Sequence, residues 1–133
     1  MNKRRKLIAG ALAVGASGLL PAMAQSRKEG KVIISHHVFF WLKNPESQAD
    51  LEKLIAGVKS LAKIEVVKDL TVGVPAKTEK REVVDNGFAV SELMFFDTIE
   101  EEAIYQAHPI HKKFVEECGP LMAKVVVYDA QAI

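Results

Sequence analysis

All four histidines of the chain stand in two short stretches, His36-His37 and His108-Pro109-Ile110-His111, and Tyr105 lies just before the second. A neutral imidazole can take up a proton near pH 7, and a phenol can donate a hydrogen bond to an oxygen that gains charge. His111 falls about two residues into a helix that Pro109 would start, where the helix dipole disfavours imidazolium. That would keep the ring neutral and usable as a base. Tyr105, one to two turns upstream, can point into the same space once Pro109 bends the chain. Such a pair could remove a proton next to a carbonyl while polarising the carbonyl oxygen. Tyr105 and His111, with His36 in support, are therefore the candidate catalytic residues. Glu92 shares a strand face with Val90 and Met94, where an unpaired carboxylate is costly to bury. It could orient His36 or His111, or reach solvent at a pocket mouth.

Phe40, Val58, Val90, Glu92, His108, Phe114 and Met122 are the residues expected to line a pocket around these groups. The apolar ones would equally serve as plain core. A Tyr and a His flanking a proline also commonly satisfy buried polar groups, so a structural role and ligand binding without chemistry stay open beside catalysis. His36, Glu92, His108 and His111 are ligand types suited to zinc or copper. The proline spoils the helical spacing of His108 and His111, and no metal site or cofactor is expected. Cys118 is the lone cysteine, so an internal disulfide cannot form, and it is expected to pack as a small apolar residue.

The elements that must hold these side chains read as strand, helix, strand, strand, helix, strand. Lys31 to Leu42 is dense in β-branched and aromatic residues and reads as a long first strand. Asn44 as cap and Pro45 at the first helical position would start a helix. Its apolar face is Leu51, Leu54, Ile55, Val58, Leu61 and Ala62, and it ends near Lys63. Val66 to Val74 is the second strand. A charged loop through Asp85-Asn86-Gly87 leads into the third, Phe88 to Phe96. Thr98 and Glu101 fit a capping box that begins the second helix, Pro109 interrupts it, and a short third helix ends at Gly119-Pro120. Met122 to Ala130 is the last strand. This order is the split βαβ arrangement, an α+β fold of ferredoxin-like type with a four-stranded antiparallel sheet.

Alternation in the first strand puts Val38, Phe40 and Leu42 on one side and Phe39 and Trp41 on the other. The third strand puts Val90, Met94 and Phe96 on one face and Leu93 and Phe95 on the opposite one. Helices on one face would leave Trp41, Phe39, Leu93 and Phe95 as a patch too large for a soluble monomer. A homodimer with two sheets packed face to face is expected.

The N-terminus has a basic stretch from Asn2 to Lys6, an uncharged run from Leu7 to Leu20 and a small-x-small pattern ending at Ala24, which together predict a signal peptide over residues 1–24. Arg4-Arg5 leaves both the general secretory and the twin-arginine routes open. The apolar run is shorter than the ~20 residues that span a bilayer, so no membrane anchor is expected after cleavage, and export points to the periplasm. Residues 25–31 read as a flexible leader and 32–133 as the domain. Cleavage would take four of the 18 basic residues and no acid, leaving 14 against 17 and a net charge of −3. A nucleic-acid partner is not expected, and the remaining partner is an unidentified small molecule.

The stretches His36-His37-Val38-Phe39-Phe40-Trp41-Leu42-Lys43 and Tyr105-Gln106-Ala107-His108-Pro109-Ile110-His111 with Phe114 carry a resemblance. With Val72-Gly73, Asp85-Asn86-Gly87-Phe88 and Val125-Val126-Val127-Tyr128-Asp129, they resemble the stress-responsive A/B barrel family (Dabb) across the whole domain. The resemblance implies a ferredoxin-like fold that dimerises into an α/β barrel. Its register implies that His36, Val38, Phe40 and Leu42 face the helices and His37 points away. The family includes uncharacterised bacterial proteins, plant stress proteins and a plant polyketide cyclase, whose catalytic Tyr and second His match Tyr105 and His111. The resemblance is compatible with a cofactor-independent lyase or cyclase and with a non-enzymatic binding or stress-protective dimer. No feature of the chain points to polyketides.

Overall fold

A computed structural model describes residues 31–133. The expected signal peptide and nearly all of the expected leader lie outside the described residues. Strand β1 (Ile34–Leu42) is followed by helix α1 (Gln48–Ser60) and a 3-10 turn (Leu61–Lys63), then strands β2 (Lys68–Gly73) and β3 (Val90–Phe96). Helices α2 (Ile99–Ala107) and α3 (Pro109–Cys118), a second 3-10 turn (Gly119–Leu121) and strand β4 (Met122–Gln131) complete the order. No helix among the described residues is long and apolar enough to cross a membrane.

The four strands form one antiparallel sheet in the order β2-β3-β1-β4, so β1 and β3 are central. Residues alternate strictly between buried and half-buried along both central strands. The buried set is Ile34, His36, Val38, Phe40 and Leu42 on β1, and Val90, Glu92, Met94 and Phe96 on β3. Against it the helices contribute Leu54, Val58, Tyr105, Phe114 and Cys118, with Leu61 and Ile64 from the chain that follows α1. Fully burying a side chain of Leu, Val or Phe size contributes roughly 1.5–3 kcal/mol, so this single layer supplies most of the cohesion.

Several local details differ from the sequence expectation. Asn44-Pro45 forms a turn, with the Ser47 N–H donating to the Asn44 carbonyl at 3.0 Å, and the helix starts only at Gln48. Ser47 is the cap, its hydroxyl accepting from the Asp50 N–H at 3.2 Å. A proline fits that turn as well as it fits a first helical position, and the Ser47 hydroxyl decides between them. Ala62 is exposed, because the chain tightens into a 3-10 turn after Ser60 and leaves the helical phase. Strand β2 is shorter than Val66 to Val74 and its register shifts between Lys68 and Thr71, where Asp69 takes a positive φ of 53°. The capping box at α2 is half made: the Glu101 N–H donates to the Thr98 hydroxyl at 3.0 Å, while the Glu101 carboxylate is bonded to Lys68.

Helices α1 and α3 meet at Gly57, where an added Cβ would stand 2.6 Å from Cys118 Sγ and 3.1 Å from Phe114 Cδ1. Cys118 is buried, as a small apolar residue would be. Gly57→Ala should therefore destabilise the domain by about 1–3 kcal/mol through overpacking, partly offset by the better helix propensity of Ala, ~1 kcal/mol. Urea unfolding should show Gly57→Ala below wild type and the added Cys118→Ala change recovering part of the loss; equal recovery at a distant control site would refute the contact.

Candidate active site

Position 36 on β1 and position 92 on β3 both turn their side chains into the helix-covered face, 3% and 2% exposed. His36 is thus the inward histidine of the pair. His37 points to the other side, where its ring packs 4.4 Å from Phe39, and burial lowers its pKa from the ordinary imidazole value. In the ladder with β4, His36 stands opposite Asp129, and its Nδ1 lies 2.6 Å from Asp129 Oδ1. A carboxylate only accepts, so Nδ1 carries the hydrogen and Nε2 is left facing Glu92 Oε1 at 3.6 Å.

The other half of the site is the junction between α2 and α3. Tyr105 occupies the last turn of α2 and is 1% exposed. The chain leaves α2 at His108, which is extended at ψ 139°, as a residue before proline prefers. Pro109 then opens α3. His108 caps α3 through its own ring, Nδ1 accepting from the Ile110 N–H at 3.1 Å, while Nε2 reaches Glu65 at 3.2 Å. The corner brings the Tyr105 and His111 rings to 4.6 Å centroid to centroid, and Tyr105 stands 5.5 Å from the ring of His36. The Tyr105 hydroxyl donates to Glu92 Oε1 at 3.4 Å.

These four groups close the polar end of a cavity of about 420 Å³, whose walls include Val38, Phe40, Phe114, Met122, Val125 and Val127. That volume and apolar lining suit a small organic ligand. His36, Phe40, Glu92, Tyr105, His111, Phe114 and Met122 line it as expected from the sequence. Three expectations fail. Val58 and Val90 are fully buried in the core and outside the cavity lining, because they pack on the side of the sheet where α1 lies against β2 and β3. His108 is also outside it, its ring being used by the α3 cap and Glu65. Asp129 was not foreseen as a partner of His36. Strand alternation in β4 would have put it on the helix side, but the pairing requires the β1–β4 register.

Burial sets the protonation states. With 2% exposure, the Glu92 carboxyl is pushed up to about 8, against the smaller opposing effect of the Tyr105 hydrogen bond. It is therefore mostly a neutral acid at pH 7. Burial first, then the adjoining Glu92, raises the Tyr105 phenol well above its ordinary value, so Tyr105 is a donor and not a base. His111 is lowered chiefly by burial, with a hydrogen bond to the Gln106 main chain opposing. The neutral state expected of His111 is the one favoured, with desolvation as its leading cause. Among the described residues, no three His, Cys, Asp or Glu side chains are grouped to hold a metal ion.

No curated protein matches the chain in sequence. Solved structures do match in fold. A Dabb family protein from Mesorhizobium loti with a ferredoxin-like fold is 22% identical, at a TM-score of 0.63 over 77% of this chain and 99% of that one. The hydroxynitrile lyase of Passiflora edulis is 24% identical, at 0.65 over 77% and 95%. A dimeric ferredoxin-like protein of unknown function from Thermobifida fusca is 18% identical, at 0.62 over 77% and 92%. The sheet, the helices on its one face and these likenesses agree on a ferredoxin-like fold. The family model of the stress responsive A/B barrel domain matches residues 34–132, nearly all of the described domain, and the chain belongs to that family.

Proposed function

We propose that this domain is a cofactor-independent lyase or cyclase for a small carbonyl compound or its adduct, with His111 as base and Tyr105 as hydrogen-bond donor. The observation that carries this reading is the contact of a neutral imidazole and an un-ionised phenol, 4.6 Å apart, at the polar end of a largely apolar cavity. With an enolisable carbonyl compound, His111 removes the proton next to the carbonyl while Tyr105 donates to the oxygen that gains charge. With a 2-hydroxy nitrile, His111 takes the hydroxyl proton as the bond to cyanide breaks, and Tyr105 holds the oxygen that becomes the carbonyl. His36, fixed by Asp129, supports Glu92 and Tyr105 from the other side. The hydroxynitrile lyase with this fold is the reason to include hydroxynitriles among the first compounds tried.

In the same reading the protein works as a homodimer. Phe39, Trp41, Leu93 and Phe95 lie half-buried on the sheet face away from the helices, and Tyr128 beside them is 63% exposed. Phe39 packs against Phe88 at 4.9 Å and Tyr128 at 6.1 Å, so these rings form one continuous apolar surface. A second sheet would remove it from water, and one structure with this fold is itself described as dimeric. Domain and site would act outside the cytoplasm, on the strength of the N-terminal pattern.

A panel of 2-hydroxy nitriles and enolisable aldehydes and ketones should yield a substrate for which His111→Ala and Tyr105→Phe each lower kcat/KM by about 100-fold or more with the fold intact. The rate should hold down to pH below ~6.5, the ordinary imidazole value, and fall only as His111 protonates at lower pH. Binding of panel members with no turnover, or turnover indifferent to both substitutions, would leave a binding protein. Light scattering at micromolar concentration should give twice the domain mass; the monomer mass would end the dimer reading. N-terminal sequencing of protein recovered from outside the cytoplasm should begin at Gln25, whereas an intact Met1 would rule out cleavage.

A further inference from the structure

The Glu92 carboxyl has one oxygen accounted for and one not. Oε1 accepts from Tyr105 and faces His36 Nε2, whereas Oε2 is buried without a hydrogen-bond partner. A buried polar atom left unpaired costs about 1–3 kcal/mol, and such atoms in folded proteins call for an explanation. Glu92 is part of the cavity lining, so a rotation of its carboxyl would turn Oε2, which has almost no exposed surface of its own, toward an occupant of the cavity as the partner it lacks. We propose that the Glu92 carboxyl is a second hydrogen-bond donor to the ligand oxygen that Tyr105 binds, which makes this end of the cavity a two-donor site for the oxygen of a neutral aldehyde or ketone. The inference rests on the acid–base reading above and deepens it by naming the second donor and the group that it recognises.

A carboxyl donates only when it holds its proton, and its surroundings favour that state. From β1 it meets His36, whose Nδ1–H is already committed to Asp129 on β4. From α2 come Tyr105 and, near it, Glu102; from α3 comes His111, which burial keeps neutral. The β2 residue opposite Glu92 in register is Val72. None of these is a fixed cation. Lys124 lines the cavity, but its ammonium lies 4.6 Å above the ring of Trp41, on the other side of the sheet alternation. An ionised Glu92 would thus be a buried charge with no Lys or Arg beside it, and a neutral one is a donor placed next to a phenol. The single Tyr105 hydrogen, which goes to Glu92 Oε1, must swing to the bound oxygen, after which two donors in a largely apolar site face the charge that builds on it. The cavity lining carries one lysine, Lys124, whose ammonium is drawn to the Trp41 ring, so a neutral carbonyl compound fits the end formed by Glu92 and Tyr105 better than a carboxylate ligand does.

The test uses 4-(dimethylamino)benzaldehyde, whose absorption band moves to the red as its carbonyl oxygen accepts hydrogen bonds, with the whole dimer or monomer as purified. Wild type should bind it with a red-shifted band near pH 7. That band should fade as pH rises through about 8, where Glu92 loses its proton and turns from donor to acceptor. Glu92→Gln keeps an N–H donor that does not titrate and should hold the shift across this range. Glu92→Leu, of similar volume, should bind about tenfold more weakly and lose most of the shift. A wild-type spectrum with no red-shifted band, a band that persists unchanged well above pH 8, or a full shift in Glu92→Leu overturns the inference. Turnover does not enter the measurement, so loss or survival of the His111 effect on catalysis is decided separately.

Discussion

The site depends on one constraint: a carboxyl and an imidazole are held in the middle of the two central strands, on the face that the helices cover. Position 36 and position 92 alternate with Ile34, Val38, Val90 and Met94, so a core side chain would fit at either. Placing Glu92 and His36 there forces every neighbour to answer them. Asp129 reaches in from the edge strand to hold His36, Tyr105 turns its hydroxyl to Glu92, and the cavity stays open on the β4 side. The low exposure that makes these groups costly also moves Glu92 and His111 toward their neutral forms, which are the forms that exchange protons or donate to a bound oxygen near pH 7.

The second requirement is a corner that aims two aromatic rings at one point. A continuous helix would carry Tyr105 and His111 nearly two turns apart. Proline removes that option, and His108 supplies the cap that the new helix needs, so the break is stabilised by the residue that precedes it. The corner is therefore rigid for local reasons, independent of any ligand. The same residue cannot also line the cavity, which is why only one of the two histidines around Pro109 belongs to the site.

Much of this was legible in the sequence for identifiable reasons. Strict period-two alternation in β1 and β3 put His36 and Glu92 on the core face once the helix side was known, and Pro109 located the corner. What remained hidden depends on long-range pairing. The Asp129 contact needs the β1–β4 register, which spans more than 90 residues of chain. Val58 and Val90 have the same apolar character as Phe40 and Phe114, and only the placement of α1 against β2 and β3, away from β4, separates core from cavity wall. Asn44-Pro45 was misread because the same dipeptide serves a turn and a helix start, and a hydroxyl three residues on settles it.

The energetic sign of Glu92 bears on why it is there. An acid whose folded value is raised to about 8 stays protonated in the fold while the unfolded chain releases its proton above the ordinary value of 4.5. The unfolded state then binds fewer protons, so this group lowers stability as pH rises from the ordinary value toward about 8, by a total on the order of a few kcal/mol. Below the ordinary value the penalty vanishes, and above about 8 it is at its full size. A domain of this size has only ~5–15 kcal/mol of net stability, so the cost is a large share. Leu or Met in the same place, as at Met94 two residues on, would pack without it. A core selected for cohesion alone has no use for such a group, whereas a cavity that must bind and polarise an oxygen does.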